Sequence, residues 1–136
     1  MNNFDELKSG KIKEIAMNKY GTAAIKAAKE GENPIESWEK ATKVLFKSSD
    51  SQKKSCPKSA FLGLCEAGLV KDIPKGNYVK SIKNKEYALK AVEILRQNTE
   101  TTFSPKELWK KLDLEDKNHN SQMDVVLGLW ENGLIK

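Results

Sequence analysis

The ten residues LGLCEAGLVK, 62–71, return almost unchanged as LGLWENGLIK, 127–136. Upstream, PIESWEKA at 34–41 answers PKELWKKL at 105–112, and YGTAAIKAAKEG from Tyr20 answers YALKAVEILRQN from Tyr87. The separations are 65, 71 and 67 residues, so three blocks recur in one order with small length changes between them. Self-similarity of this kind is the signature of a repeated structural unit. Two copies are expected, residues 11–83 and 84–136, behind an N-terminal lead of residues 1–10.

Each copy reads as three helices. In the first block, Ile12, Ile15, Ala16, Tyr20, Ala23, Ala24 and Ala27 form an apolar stripe at helical spacing, with Gly21 as a point of kink or break. Tyr87, Ala88, Ala91, Val92, Ile94 and Leu95 do the same in the second copy. The second helices have matching start signals, Asn33-Pro34-Ile35-Glu36 and Ser104-Pro105-Lys106-Glu107. Each offers a cap residue, a proline at the first helical position and a glutamate at the third. Proline lacks only an N–H that has no helical partner there, while cap and glutamate satisfy two further donors reciprocally. Trp38 and Trp109 occupy the same place in each and read as core anchors. The third helices are expected from near Ser55 and Ser121, with Ser121-Gln122-Met123-Asp124 resembling a capping box. Gly68 and Gly133 then close them in a left-handed turn, and Leu69-Val70 and Leu134-Ile135 follow as short β-prone pairs. Gly63 and Gly128, inside the third helices, suit close helix packing.

Helix, turn, helix, glycine, short strand resembles the winged-helix branch of the helix-turn-helix group. LGLCEAGLVK and LGLWENGLIK look like the end of its recognition helix running into the first wing strand. TTFSPKELWKKL, 101–112, looks like its short strand leading into a capped second helix. LVKDIPKGNYVKS, 69–81, looks like a wing turning at Pro74-Lys75-Gly76-Asn77; the second copy shows no such continuation. The resemblance implies a mainly α fold of two tandem winged-helix-like units packed as one compact body, with a short β-hairpin wing in the first copy. It implies nucleic-acid binding by analogy of fold, and winged helices also dock proteins.

Charge separates the copies. The net charge is +5, and residues 11–83 alone carry +7, with −1 on each side. In the implied fold, Lys53, Lys54 and Lys58 fall at the start of the third helix, with Ser55 and Ser59 adding hydroxyls. Lys71, Lys75, Lys80 and Lys83 fall on or beside the wing. A helix N-terminus carries unpaired N–H groups and a positive dipole end, so these nine residues form the expected phosphate-contacting set. The corresponding stretch of the second copy, DLEDKNHNSQMD at 113–124, holds Asp113, Glu115, Asp116 and Asp124 against Lys117 and repels phosphate. Arg96 is the only arginine, so bidentate guanine recognition is nearly absent and binding through phosphates is expected instead.

Catalysis is not expected. His119 is the only histidine and stands in a polar loop, so neither a triad nor a histidine metal cluster is available. Asp116, Asn118, Asn120 and Gln122 alternate like a calcium loop, but the sixth position is Ser121 and the twelfth Leu127. The glycines are isolated, without a phosphate loop. Cys65 matches Trp130 and belongs to the core; Cys56, near a helix start among lysines, is read as a small capping-region residue. No cofactor, metal or membrane partner is expected. The acidic start MNNFDELKSG and the two cysteines point to a soluble, cytoplasmic protein. Two functional readings stand: a duplex-DNA-binding regulatory or accessory protein acting through the first copy, or a protein-interaction adaptor built from paired winged helices, with the second copy mediating partner binding or self-association.

Overall fold

A computed structural model describes residues 18–31, 33–114 and 119–136. The expected lead at 1–10, the stripe positions Ile12, Ile15 and Ala16, and Glu115, Asp116, Lys117 and Asn118 lie outside them. The described chain is mainly helical. It runs α1 (Lys19–Glu30), α2 (Pro34–Leu45), a single turn α3 (Ser49–Gln52), α4 (Ser55–Glu66), α5 (Ile82–Gln97), α6 (Pro105–Lys111) and α7 (Gln122–Glu131).

Local signals set most helix ends. Pro34 and Pro105 open α2 and α6. At α6 the reciprocal box forms: the Glu107 N–H donates to Ser104 Oγ at 3.1 Å, and the Ser104 N–H donates to Glu107 Oε1 at 2.9 Å. At α2 only half of it forms. Asn33 Oδ1 accepts the Glu36 N–H, but Asn33 also carries an amide donor, and Nδ2 holds the Glu36 carboxylate at 3.1 Å. Gly68 and Gly133 sit at φ +78° and +70°, a region that side chains with a Cβ rarely adopt. Both glycines close their helices in the same way. Leu69 N–H reaches Leu64 O at 3.0 Å and Gly68 N–H reaches Cys65 O; Leu134 N–H reaches Leu129 O at 2.9 Å and Gly133 N–H reaches Trp130 O. Each pair is a Schellman closure.

The β-prone pairs that follow do not start separate wings. They pair with each other: Val70 and Ile135 form an isolated antiparallel bridge, with Lys71 N–H on Leu134 O at 2.9 Å and Lys136 N–H on Leu69 O at 2.8 Å. A shift of 65 residues exchanges these two hydrogen bonds, so the contact has local two-fold symmetry. The helices obey the same exchange. α1 packs on α2 and on α7, while α5 packs on α6 and on α4, and α4 meets α7. The first helix of each expected copy thus lies against the third helix of the other. Glycines permit these crossings. A Cβ on Gly63 would stand 2.7 Å from Lys85 Cα of α5, and one on Gly128 would stand 2.9 Å from the Gly21 carbonyl of α1. Gly21 is therefore a close-approach residue in the first turn of α1 rather than a kink. The expected copy boundary at 83/84 falls within the first turn of α5.

The expected β-hairpin wing at 69–81 is replaced by an irregular strap, because its donors have other partners. Tyr78 and Val79 donate their N–H groups to Glu66 Oε1 at 2.8 and 3.1 Å, and Tyr78 Oη donates to the Pro74 carbonyl. Lys85 closes on the other Glu66 oxygen at 2.7 Å. The strap is tied along the flank of α4 instead of folding on itself.

One core joins the whole. Trp38 is fully buried and stacks on Phe61 at 5.3 Å, and Trp109 meets Tyr87 edge-on at 5.5 Å. Each such ring removes enough apolar surface from water to contribute roughly 1.5–3 kcal/mol. Cys65 is buried beside them, and burial raises its thiol pKa far above the usual range, leaving it inert.

Candidate nucleic-acid interface

α4 begins with Ser55, and Lys54 at its cap position makes no side-chain cap hydrogen bond. Pro57, in the first turn, has no N–H to satisfy. The remaining donors of that turn lack the side-chain acceptor that Asn33 and Ser104 give to α2 and α6. Lys53, Lys54 and Ser55 are exposed around this end, and Lys58 is half-buried one turn in.

Beside them runs a groove of about 440 Å³, lined by Ile35 of α2, by Ser55, Lys58, Ser59 and Leu62 of α4, and by Tyr78, Val79, Lys80 and Ser81 of the strap. The four α4 residues follow i, i+3, i+4, i+7 spacing and so share one helix face. The groove joins two cations and three serine hydroxyls to an apolar floor. The strap is held in place as its second wall by Glu66. Lys85, followed by the Val79 and Tyr78 N–H groups, lowers the Glu66 carboxyl to about 2.

The structure thus gathers Lys53, Lys54, Ser55, Lys58, Ser59 and Lys80 at one end of α4, but Ser59 is buried in the groove rather than presented outward. Lys71 and Lys75 lie elsewhere. Lys71 borders a shallow depression with Asp72, Ile73, Pro74 and Lys136. The Lys75 stem covers Gly68, its Cγ 3.0 Å from where a Cβ would stand, at the far end of α4. A twelve-residue helix is about 18 Å long, so these two lysines are a helix length from the first group. Lys83 is exposed in the first turn of α5, beside the Ser81 cap. Sequence reasoning missed Ile35, Leu62, Tyr78 and Ser81 as groove walls. The helical spacing from Ser55 to Leu62 held part of that signal; nothing local announces that the strap returns past it.

The corresponding end of α7 is built differently. Ser121 sits at φ +72° without a side-chain cap hydrogen bond, so the expected capping box does not form. Ser121 Oγ instead accepts from Asn18 Nδ2, and Asp124 Oδ1 accepts the Asn18 N–H at 3.0 Å, tying the cap of α1 to α7. Burial raises the Asp124 carboxyl above its ordinary value, partly offset by the Asn18 hydrogen bond. His119 is not a free loop residue either. Its Nε2 accepts the Met123 N–H at 3.2 Å, its ring lies 5.3 Å from Trp109, and burial lowers its pKa. Those contacts describe a neutral imidazole that serves as a helix cap. Cys56, half-buried, accepts from Asn120 Nδ2 at 3.6 Å across the α4–α7 contact.

Among the described residues, no group of three or more His, Cys, Asp and Glu is placed to hold a metal ion. Nor is any helix among them long and apolar enough to cross a membrane. No curated protein and no solved structure matches the chain. A family model does match, over residues 17–136, and the chain belongs to that family, DUF6979, a family of unknown function.

Proposed function

We propose that this protein is a duplex-nucleic-acid-binding regulatory or accessory factor that grips phosphates at the N-terminal end of α4. One observation carries the reading: Lys53, Lys54, Lys58 and Lys80 gather around a helix start that no side chain caps. Phosphate oxygens supply the missing acceptors, and the helix dipole favours them. The two halves are read as divergent copies of one winged-helix-like unit, supported by the paired Schellman closures and the exchange-symmetric bridge. The strap stands where a wing would, with Lys80 on it. Arg96, which donates to the Lys136 carbonyl, is engaged away from this end, so binding rests on lysine and is salt-dependent with modest sequence selectivity.

Filter retention of a mixed-sequence duplex over a salt series tests this. Lys54→Glu with Lys58→Glu is expected to weaken retention roughly 100-fold and to flatten the salt slope by about two, with the melting temperature kept. Absence of retention of any duplex at low salt overturns the function; retention that survives the double reversal overturns the assigned face.

A second reading, a protein-docking adaptor, is favoured by Ile82 and Val44, which are 68% and 75% exposed. Pull-down with and without nuclease separates the two, because a docked protein survives nuclease and a shared nucleic acid does not.

A further inference from the structure

Ser59 is 9% exposed, and its hydroxyl has no hydrogen-bond partner among the described residues. Trp38 Nε1 is the only side-chain polar atom among those residues that is both sealed from solvent and unpartnered. The Ser59 hydroxyl therefore opens only into the groove it lines. A hydroxyl that has no protein partner and opens on a groove is free to donate to a molecule bound there.

The other half of the molecule shows what fills this place. The residue 65 positions after Ser59 is Asp124, and its carboxylate binds the cap of the helix that crosses α7. The helix crossing α4 has Ser81 at its cap, and Ser81 Oγ is taken by the Asn84 N–H and Nδ2. It does not reach Ser59, and the groove is left between them. At α7 the anion is built into the chain; at α4 the cations Lys58 and Lys80 border an open space.

We propose that this groove binds a small amphipathic oxyanion, a phosphate or carboxylate carried on an apolar body. The head accepts from Ser59 Oγ and faces Lys58, Lys80 and the uncapped first turn of α4. The body rests on Leu62, Tyr78 and Ile35. A volume of about 440 Å³ suits one ring or short chain with its head group. The proposal rests on the reading of this end of α4 as an oxyanion surface, and it makes such a molecule a competitor of duplex phosphate for Lys58.

The test titrates the full ¹⁵N-labelled chain with phenyl phosphate, benzoate and inorganic phosphate. Phenyl phosphate or benzoate is expected to shift the amides of residues 58–62 and 78–81 saturably, at least about ten-fold more tightly than inorganic phosphate, and the tighter of the two identifies the head group. Ser59→Ala is expected to weaken that binding at least about ten-fold while leaving the melting temperature unchanged, since the hydroxyl has no protein partner to lose. Lys53→Glu with Lys54→Glu separates this proposal from duplex binding: duplex retention falls, and phenyl phosphate affinity stays within about three-fold. Inorganic phosphate binding as tightly as phenyl phosphate, shifts confined to residues outside the groove, or an unchanged affinity in Ser59→Ala each overturns the proposal.

Discussion

The starts of α4 and α7 hold corresponding places in the two halves, yet they have opposite chemistry. α7 is closed by its own chain: Asp124 and Ser121 hold Asn18, and His119 takes the Met123 N–H. α4 has no side-chain cap, lysines outside and a hydroxyl without a partner inside. Both starts sit at equivalent helix crossings, so the scaffold does not dictate the difference. It lies in a few residues: Ser59 against Asp124, and Lys54 against His119. One end has been given to stability and the other left open to solvent. A surface that keeps unpaired donors beside an open groove is where a ligand is to be sought.

The contrast can be broken most directly through charge. Lys53→Glu with Lys54→Glu and Lys110→Glu with Lys111→Glu lower the net charge equally, but the second pair lies on α6. The first is expected to weaken duplex retention about 100-fold and the second less than about three-fold. Equal losses would mean that net charge, not the α4 end, governs binding.

The crossings themselves come next in size. Gly63→Ala and Gly128→Ala both add a favourable helix former, so propensity alone calls for a gain of up to about 1 kcal/mol. The close approach of Lys85 Cα and the Gly21 carbonyl reverses the sign, for an expected loss of roughly 1–3 kcal/mol in thermal or denaturant unfolding. The two losses are expected to be similar, because the nearest atom is backbone in both cases, Lys85 Cα at 2.7 Å and the Gly21 carbonyl oxygen at 2.9 Å, and neither can swing aside. Smaller still, Ser104→Ala is expected to cost about 1 kcal/mol and Asn33→Ala somewhat less, since the reciprocal box forms only at α6.

The two halves also differ in their response to acid. The folded Glu66 carboxyl lies near 2, below its ordinary 4.5, so its contribution is fully present above that ordinary value and lost as pH falls toward 2. Asp124 is raised by burial, so the folded state holds its proton more tightly; the stability this confers is full below its ordinary 3.8 and lost as pH rises through the raised value. Glu66→Gln is therefore expected to be destabilising at pH 7 and Asp124→Asn stabilising or neutral. Both differences from wild type shrink as unfolding is measured at lower pH. Like signs at pH 7 would refute the assignment of opposite environments.

Much of this architecture was legible where the governing contact is local. Proline at the first helical position, a capping side chain and a left-handed glycine act within a few residues, so the starts of α2 and α6 and the ends of α4 and α7 could be read directly. The tryptophans and Cys65 were recognisable as core from their matched positions. What could not be read is whatever depends on a distant partner. Leu69-Val70 has β propensity, but propensity does not name Leu134-Ile135 as its mate. Glu66 looks like any exposed helical glutamate until residues 12 and 13 positions later reach it. Ser121 followed by Asp124 matches a capping box, and Asn18, more than a hundred residues upstream, diverts both side chains. The lysines were identified correctly as an unequal charge distribution, but their division between the two ends of α4 came from the path of the strap.

The packing of α1 on α7 bears on how the chain is made. A ribosome adds roughly 5–20 residues each second. About a hundred residues separate these two helices, so the apolar face of α1 has emerged for at least several seconds before its partner is synthesised. During that interval α1 has only α2 to cover it. Burial of that face therefore cannot be completed until α7 has emerged.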